Sequence, residues 1–478
     1  MSWIDLGIFL AYMLAMLGVG FFYMKKNTDQ EDYYVGGRNI GSWHIGLSVV
    51  ATDVGGGFSI GLGGLGFAMG ISGSWMLFTG LLGAWLAAVL LIPRVKSDPA
   101  FSNFFTFPQI IGHLYNSNAA RVAAIICFLG YLGFTSSQLL AGAKLASGTF
   151  EALDLHYALL IMGGIAVVYT VMGGLKAVIY TDTIQWIILM LGLMFIGVPM
   201  AYHFVGGWEG ISSTLPASFF SFSNLSWQDL ANWGITIVPI WFVGMTLYQR
   251  IFAARDVRSA KKAWFIAGLF EWPIMAFLGV SLGLLSRVAV EQGVLEGFGL
   301  GMDPEMGLPV LLSQILPAGI LGLMMSAYFS AVLSTADSCL MAASGNLTTD
   351  LLGRFMKGKT HKQEIRLSQI LTLIIGGVAI LIAWQMTEVL SLMLYSYAFM
   401  VSGLLIPVIG GLFFNQNNGT AAVVSMIAGG SVTAGLTIAE VALPFDLDAN
   451  LFGLLISLLA FLSVTYFQKL NSSKLKSI

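Results

Sequence analysis

The chain has 478 residues, 57% hydrophobic and 10% charged, with a formal net charge of −2. A soluble globular chain carries about 25% charged residues, so this composition describes a polytopic helical membrane protein. The apolar runs are continuous rather than alternating, which excludes a transmembrane β-barrel. The near-zero net charge selects no nucleic-acid or other charged partner.

Thirteen spans follow from apolar runs near 20 residues, the length that crosses a hydrocarbon core of about 30 Å. They lie at 3–24, 44–70, 73–94, 118–147, 156–173, 180–204, 230–253, 262–288, 318–348, 366–385, 388–414, 419–440 and 449–467. Residues 1–24 lack a basic leader and a small-residue cleavage site and read as a retained helix. With the N-terminus outside, 20 of the 22 Lys and Arg residues fall in inner loops, the exceptions being Lys144 and Arg287. This positive-inside bias predicts a cytoplasmic C-terminus. Cys127 and Cys339 lie in apolar runs and read as small core residues, and the five histidines show no metal spacing. No phosphate-binding G-x-x-x-x-G-K-[ST] loop is present, which argues against ATP coupling.

The second span carries Ala51-Thr52-Asp53-Val54-Gly55-Gly56-Gly57. Each mid-helix glycine costs about 1 kcal/mol relative to alanine, and a charge at membrane depth costs about 3 kcal/mol on insertion scales. An unwound segment lining a cavity explains both, because a broken helix offers carbonyls to a cation and a half-helix N-terminus to an anion. The sixth span opens on Tyr180-Thr181-Asp182-Thr183, where Asp182 suits either a helix start or a site. Glu271 beside Pro273 is a buried acid with structural and functional readings equally open. The ninth span holds Ser330-Ala331-Val332-Leu333-Ser334-Thr335-Ala336-Asp337-Ser338. Residues 331, 334, 335 and 338 share one helical face, with Asp337 adjacent. Such a density of oxygens suits a hard cation. A membrane protein holding one at mid-depth moves it or uses it to move something else.

Residues Tyr169–Gln185, reading YTVMGGLKAVIYTDTIQ, resemble the central motif of the sodium:solute symporter family. Asp32-Tyr33-Tyr34-Val35-Gly36-Gly37-Arg38, Gln249-Arg250 and the ninth-span motif resemble further family marks, and the likeness covers about residues 1–415. The resemblance implies a leucine-transporter-like fold. A first helix and loop (1–43) would precede two inverted five-helix repeats (44–204 and 205–414), each opening on a broken helix. Two C-terminal helices and a tail (415–478) would follow.

The resemblance also implies a sodium site made by the carbonyls of Ala51, Val54 and Ala331 with the hydroxyls of Ser334 and Thr335. A possible second sodium would sit among Asp182, Ser334, Asp337 and Ser338, so one or two sodium ions are expected. Candidate solute contacts are Asp53, Gly55, Gly56, Gly57, Tyr131, Phe134, Trp241, Phe242 and Thr246. Thr246 stands where sugar-type members carry a gating Tyr, and no acid is offered by the third span, which disfavours a sugar. Asp53 and Val243 replace the tryptophans of a choline cage, which disfavours choline. A small amino acid, osmolyte or carboxylate remains.

The expected activity is sodium-coupled symport by alternating access, not an enzymatic reaction. The partners would be a small solute, sodium and the lipid bilayer, with no nucleic acid and no obligate protein partner, in a bacterial inner membrane. Proton coupling through Asp53, Asp182 or Asp337 is one alternative. A sensor retaining a transport fold is another.

Overall fold

A computed structural model describes residues 2–26, 35, 37–150, 153–353 and 360–476. Asp32, Tyr33, Tyr34 and Gly36 of the first-loop motif, and Arg354, Lys357 and Lys359 of the inner-loop basic set, lie outside the described residues. The chain runs through helices α1 (Trp3–Lys26), α2 (Ser42–Val54), α3 (Gly56–Met69), α4 (Trp75–Ser97), α5 (Ser117–Thr149) and α6 (Leu155–Gly192). It continues through α7 (Trp227–Val243), α8 (Met245–Ala253), α9 (Val257–Leu269), α10 (Ala276–Glu291) and α11 (Pro304–Ile315). The last five are α12 (Ile320–Gly345), α13 (His361–Trp384), α14 (Val389–Phe414), α15 (Gly419–Ile438) and α16 (Ala449–Lys476). Among the described residues there is no strand.

Among the described residues ten helices are long and apolar enough to cross a membrane, and eleven if the bent pair α7–α8 is one span. Thirteen were expected. The shortfall has two sources: Trp3–Val19 is a shorter apolar helix, and one 39-residue stretch, Ser59–Ser97, takes in the end of the second expected span and all of the third. The fifth and sixth expected spans, Leu155–Met172 and Val178–Phe204, both lie on the path that begins with α6. Leucines and isoleucines such as Leu14, Ile374, Leu381 and Leu459 stand exposed on the outer helices, an apolar surface of the kind that faces lipid.

The helices sort into two packed groups. α2, α3, α4, α7, α9 and α10 pack mainly against one another, whereas α5, α6, α12 and α13 form a second group, with α14 packed against both α5 and α7. Within the first group α3 and α10 approach closely enough that a Cβ on Gly283 would lie 1.9 Å from the Gly63 carbonyl oxygen. The glycines after the break therefore serve close packing, as expected of small residues between membrane helices.

Loop chemistry fixes the helix starts. Asn116 caps α5 by accepting from the amides of Asn118 and Ala119, and Ser226 opens α7 with a reciprocal Ser226–Asp229 capping box. At the opposite end from Lys144, the loops are tied by basic residues. Arg38 donates to the Phe104 carbonyl at 2.9 Å and Lys96 to the Phe252 carbonyl at 3.0 Å. Lys144 itself is buried and ion-paired with Asp303 and Glu305, which ties α5 to α11. Glu305 also accepts from the amides of Val389 and Leu390, both at 2.9 Å, and so caps the start of α14.

Candidate functional site

Among the described residues the eighth expected span is kinked at Trp272, with φ −136° and ψ 124°, and two further helices are interrupted at one junction. The second expected span stops at Val54 and restarts at Gly56. Gly55 between them adopts φ −1° and ψ −163°, outside helical space. The seventh stops at Val243 and restarts at Met245 with Gly244 extended, and its halves are bent by 42°. At each break the regular ladder is interrupted inside the protein, although the Ala51 and Ile240 carbonyls still accept from the amides of Gly55 and Gly244 at 3.1 and 2.8 Å.

The first break is keyed to α12. A Cβ on Gly55 would fall 1.9 Å from Thr335 Oγ1, so only glycine fits here. Thr335 Oγ1 lies 2.9 Å from the Ala51 carbonyl oxygen and 3.2 Å from that of Ala331, and Ser334 Oγ donates to Ala331 at 3.2 Å. All five residues of the expected sodium set, Ala51, Val54, Ala331, Ser334 and Thr335, are buried. Four of them meet at one crossing, and Val54 ends α2 at the break itself. The donor set is neutral oxygen throughout, which suits a hard monovalent cation.

The second expected set also converges, but around a cation the chain supplies. Asp182 is fully buried, accepts from Ser48 Oγ at 2.6 Å and has Ser334 alongside. Arg250, likewise fully buried, reaches into the same space. Its Nη2 donates to Thr52 Oγ1 at 2.5 Å and Ser338 Oγ at 2.8 Å and lies 3.7 Å from Asp182 Oδ2. Its Nε donates to Ser48 Oγ at 3.2 Å and its Nη1 to the Thr246 carbonyl at 3.2 Å. Asp337 accepts from the Thr170 hydroxyl, and its Oδ2 is buried without a hydrogen-bond partner, as is Asp182 Oδ1. Ser338 and Asp182 are thus already engaged by a guanidinium, and a sodium ion among them would meet a like charge, a repulsion of about 4 kcal/mol for unit charges about 4 Å apart at an effective dielectric near 20.

The candidate solute contacts divide. Asp53 is buried beside the break; its Oδ1 accepts from Tyr397 Oη at 3.3 Å and its Oδ2 has no partner. Tyr397 stacks edge-on with Phe134 at 4.9 Å, and Phe134 lies 6.3 Å from Tyr131. Tyr131 Oη accepts from the Thr246 amide at 3.1 Å and lies 3.1 Å from Thr246 Oγ1, so it caps the half-helix after the second break. Asp53, Gly55, Tyr131, Phe134 and Thr246 thus line the junction of the two breaks, and Gly56 and Gly57 open α3 there. Trp241 and Phe242 are placed elsewhere. Trp241 packs against Gly83 and stacks edge-on with Trp264 at 6.4 Å, while Phe242 lies 6.5 Å from Phe413.

Four contributors were not singled out from sequence: Ser48, Thr52, Thr170 and the side chain of Arg250. A signal existed for the first two. Ser48 and Thr52 are one helical turn apart, as Ser334 and Ser338 are, giving two hydroxyl ladders on facing helices. Glu271, left open between two readings, faces Asp53 directly.

A helical bundle whose spans break at a shared internal junction, one break set against a hydroxyl-rich helix, is the architecture of a secondary transporter. Comparison with known proteins agrees. The chain belongs to the sodium:solute symporter family, whose description matches residues 33–429. Membership makes it an integral membrane protein that imports a solute with sodium as coupling ion, a transporter and not an enzyme.

Among curated relatives, the osmoregulated proline transporter OpuE of Bacillus subtilis is 28% identical over 452 residues, covering 91% of this chain and 89% of that protein. The sodium/glucose cotransporter of Vibrio parahaemolyticus is 26% identical, covering 100% of this chain and 93% of that protein. Among solved structures, a Na+-coupled sialic acid symporter in a substrate-bound outward-open state aligns with a TM-score of 0.77 at 22% identity, over 96% of this chain and 97% of its own. The nucleobase-cation symporter Mhp1, with bromovinylhydantoin bound, aligns with a TM-score of 0.59 at 14% identity, over 92% and 95%. These structural likenesses establish the leucine-transporter-like fold.

Proposed function

We propose that the chain imports a small zwitterion, an amino acid or osmolyte, or a small carboxylate, together with sodium bound by Ala51, Val54, Ala331, Ser334 and Thr335. The observation that carries the solute class is Asp53. It is a buried carboxyl in the last turn of α2, just ahead of the break and the start of α3, held by Tyr397 and facing Glu271. A half-helix N-terminus attracts a carboxylate, and Asp53 attracts an ammonium, so the two ends of a zwitterion find opposite charges a few residues apart. Proline transporters among the relatives support this reading, and sodium/glucose cotransporters stand beside them at similar identity, so the choice against a sugar rests on the site residues. Tyr131, Phe134 and Thr246 complete the wall.

The two packed helix groups meet at this point, which suits alternating access by one group rocking against the other. With a zwitterion, whose net charge is zero, one sodium ion moving through 100 mV supplies about 2.3 kcal/mol, and that sustains roughly a 50-fold solute gradient. We place the N-terminus outside and the C-terminus in the cytoplasm of a bacterial inner membrane. The gathering of Arg38 and Lys96 at the end opposite Lys144 supports that orientation.

The test is thermal stabilisation of purified protein by a panel of amino acids, betaines, carboxylates and sugars, each in sodium and in potassium. A zwitterion or carboxylate that stabilises only in sodium supports the proposal. Stabilisation by sugars alone refutes it.

A further inference from the structure

We infer that Arg250 is the built-in cation of the second oxygen cluster, so that the transporter binds one sodium ion, not two. The inference rests on the sodium reading of Ala51, Ala331, Ser334 and Thr335 above. Arg250 is entirely buried, and the partners that hold its guanidinium come from the face where a second ion would sit or from its own helix. These are Ser48, Thr52, Ser338 and Asp182, together with the Thr246 carbonyl one turn back. Two of them, Asp182 and Ser338, belong to the expected second sodium set.

Charge points the same way at this cluster. Asp182 already has its countercharge in Arg250, which lies 3.7 Å away and is as deeply buried. A sodium ion added beside Ser338 and Asp182 would stand next to that guanidinium in a buried, low-dielectric setting, where an uncompensated charge is strongly disfavoured.

Asp182 on this account is the counter-ion of a guanidinium rather than an ion ligand. Its orphan Oδ1 and that of Asp337, Oδ2, become ligands only when Arg250 is removed. A permanent tethered cation differs from a bound one in consequence. It neutralises the site without consuming an ion, so the cycle moves one sodium ion per solute.

The experiment is equilibrium binding of radiosodium to the purified full chain, counted as ions per protein at saturation. The native protein is expected to bind one, with a Hill coefficient near one, and Asp182→Asn to remain at one. Arg250→Gln is expected to bind two, and Arg250→Lys, which keeps the charge, one. Adding Thr335→Ala to Arg250→Gln should return the count to one, whereas Thr335→Ala alone should weaken the single site at least tenfold. Two ions in the native protein, or a fall from two to one in Asp182→Asn, overturns the inference even if Arg250→Gln does not fold. A folded Arg250→Gln that gains no ion also overturns it. Native binding that ignores Thr335→Ala would instead refute the underlying sodium-site reading.

Discussion

Thr335 Oγ1 lies 2.9 Å from the carbonyl oxygen of Ala51, on the opposite side of a helix break that leaves no room for a side chain at Gly55. That one contact joins the broken helix of the first packed group to α12 of the second. It lets the state of an ion site and the relative position of the two groups depend on each other.

Replacing the hydroxyl tests the contact directly. Thr335→Ala or Ser334→Ala is expected to raise the sodium concentration for half-maximal uptake at least tenfold, with little change in expression. Initial rates measured across a sodium titration decide it. An unchanged sodium requirement in both variants removes these residues from the ion site.

Gly55→Ala puts a methyl group 1.9 Å from Thr335 Oγ1. Overpacking costs about 1–3 kcal/mol, and here the strain falls on the ion crossing. Uptake should drop below about a tenth of native. The double variant Gly55→Ala/Thr335→Gly, which clears the space, should regain thermal stability but not sodium affinity. A fully active Gly55→Ala would mean the break is not held as described.

Lys144 is buried between Asp303 and Glu305, and Glu305 also caps α14. Removing one partner of a buried ion pair typically costs 3–5 kcal/mol, because the other is left uncompensated. Lys144→Met should therefore lower the melting temperature by many degrees, and the double variant Lys144→Met/Glu305→Gln should recover part of the loss. A small single-variant effect would show the network to be well solvated.

Glu271 and Asp53 face each other, and neither has an ion pair among the described residues. Two adjacent buried carboxyls without a cation repel when both are charged. Glu271→Gln offers Asp53 an amide donor in the same volume, so melting temperature at pH 7 should hold or rise. A marked fall would reveal a cation held by the pair.

Tyr131→Phe removes the hydroxyl that accepts from the Thr246 amide at the second break. A hydrogen bond of this kind contributes about 1 kcal/mol. The stability loss should be of that order, with a larger effect on solute KM than on sodium dependence. Equal effects on both would tie the second break to the ion.

Much of this was legible in the sequence because membrane physics leaves strong marks. A run of glycines with Asp53 in mid-span, and hydroxyls repeating along one face of the ninth span, are costly unless used. They marked both sides of the crossing at Gly55 and Thr335. The expected end of the second span at 70 and start of the third at 73 fall close to the observed Met69 and Trp75. No charged residue lies between 59 and 93, so the two spans read as one apolar continuity apart from small residues at 70–74.

Arg250 escaped for a different reason. Near a helix end an arginine reads as an inner-loop charge, and only the fold shows it directed inward onto Ser48, Thr52 and Ser338. Trp241 and Phe242 were candidates by residue type. The direction of a side chain around a bent helix is not encoded in type, and Trp241 turns toward Gly83 instead.

The most direct test of the account is uptake of labelled amino acids, betaines, carboxylates and sugars into proteoliposomes, under an inward sodium gradient and in matched potassium. The account predicts that a small zwitterion or carboxylate accumulates only with sodium, and that Thr335→Ala shifts its sodium dependence. Accumulation that follows a pH gradient and ignores sodium would contradict it.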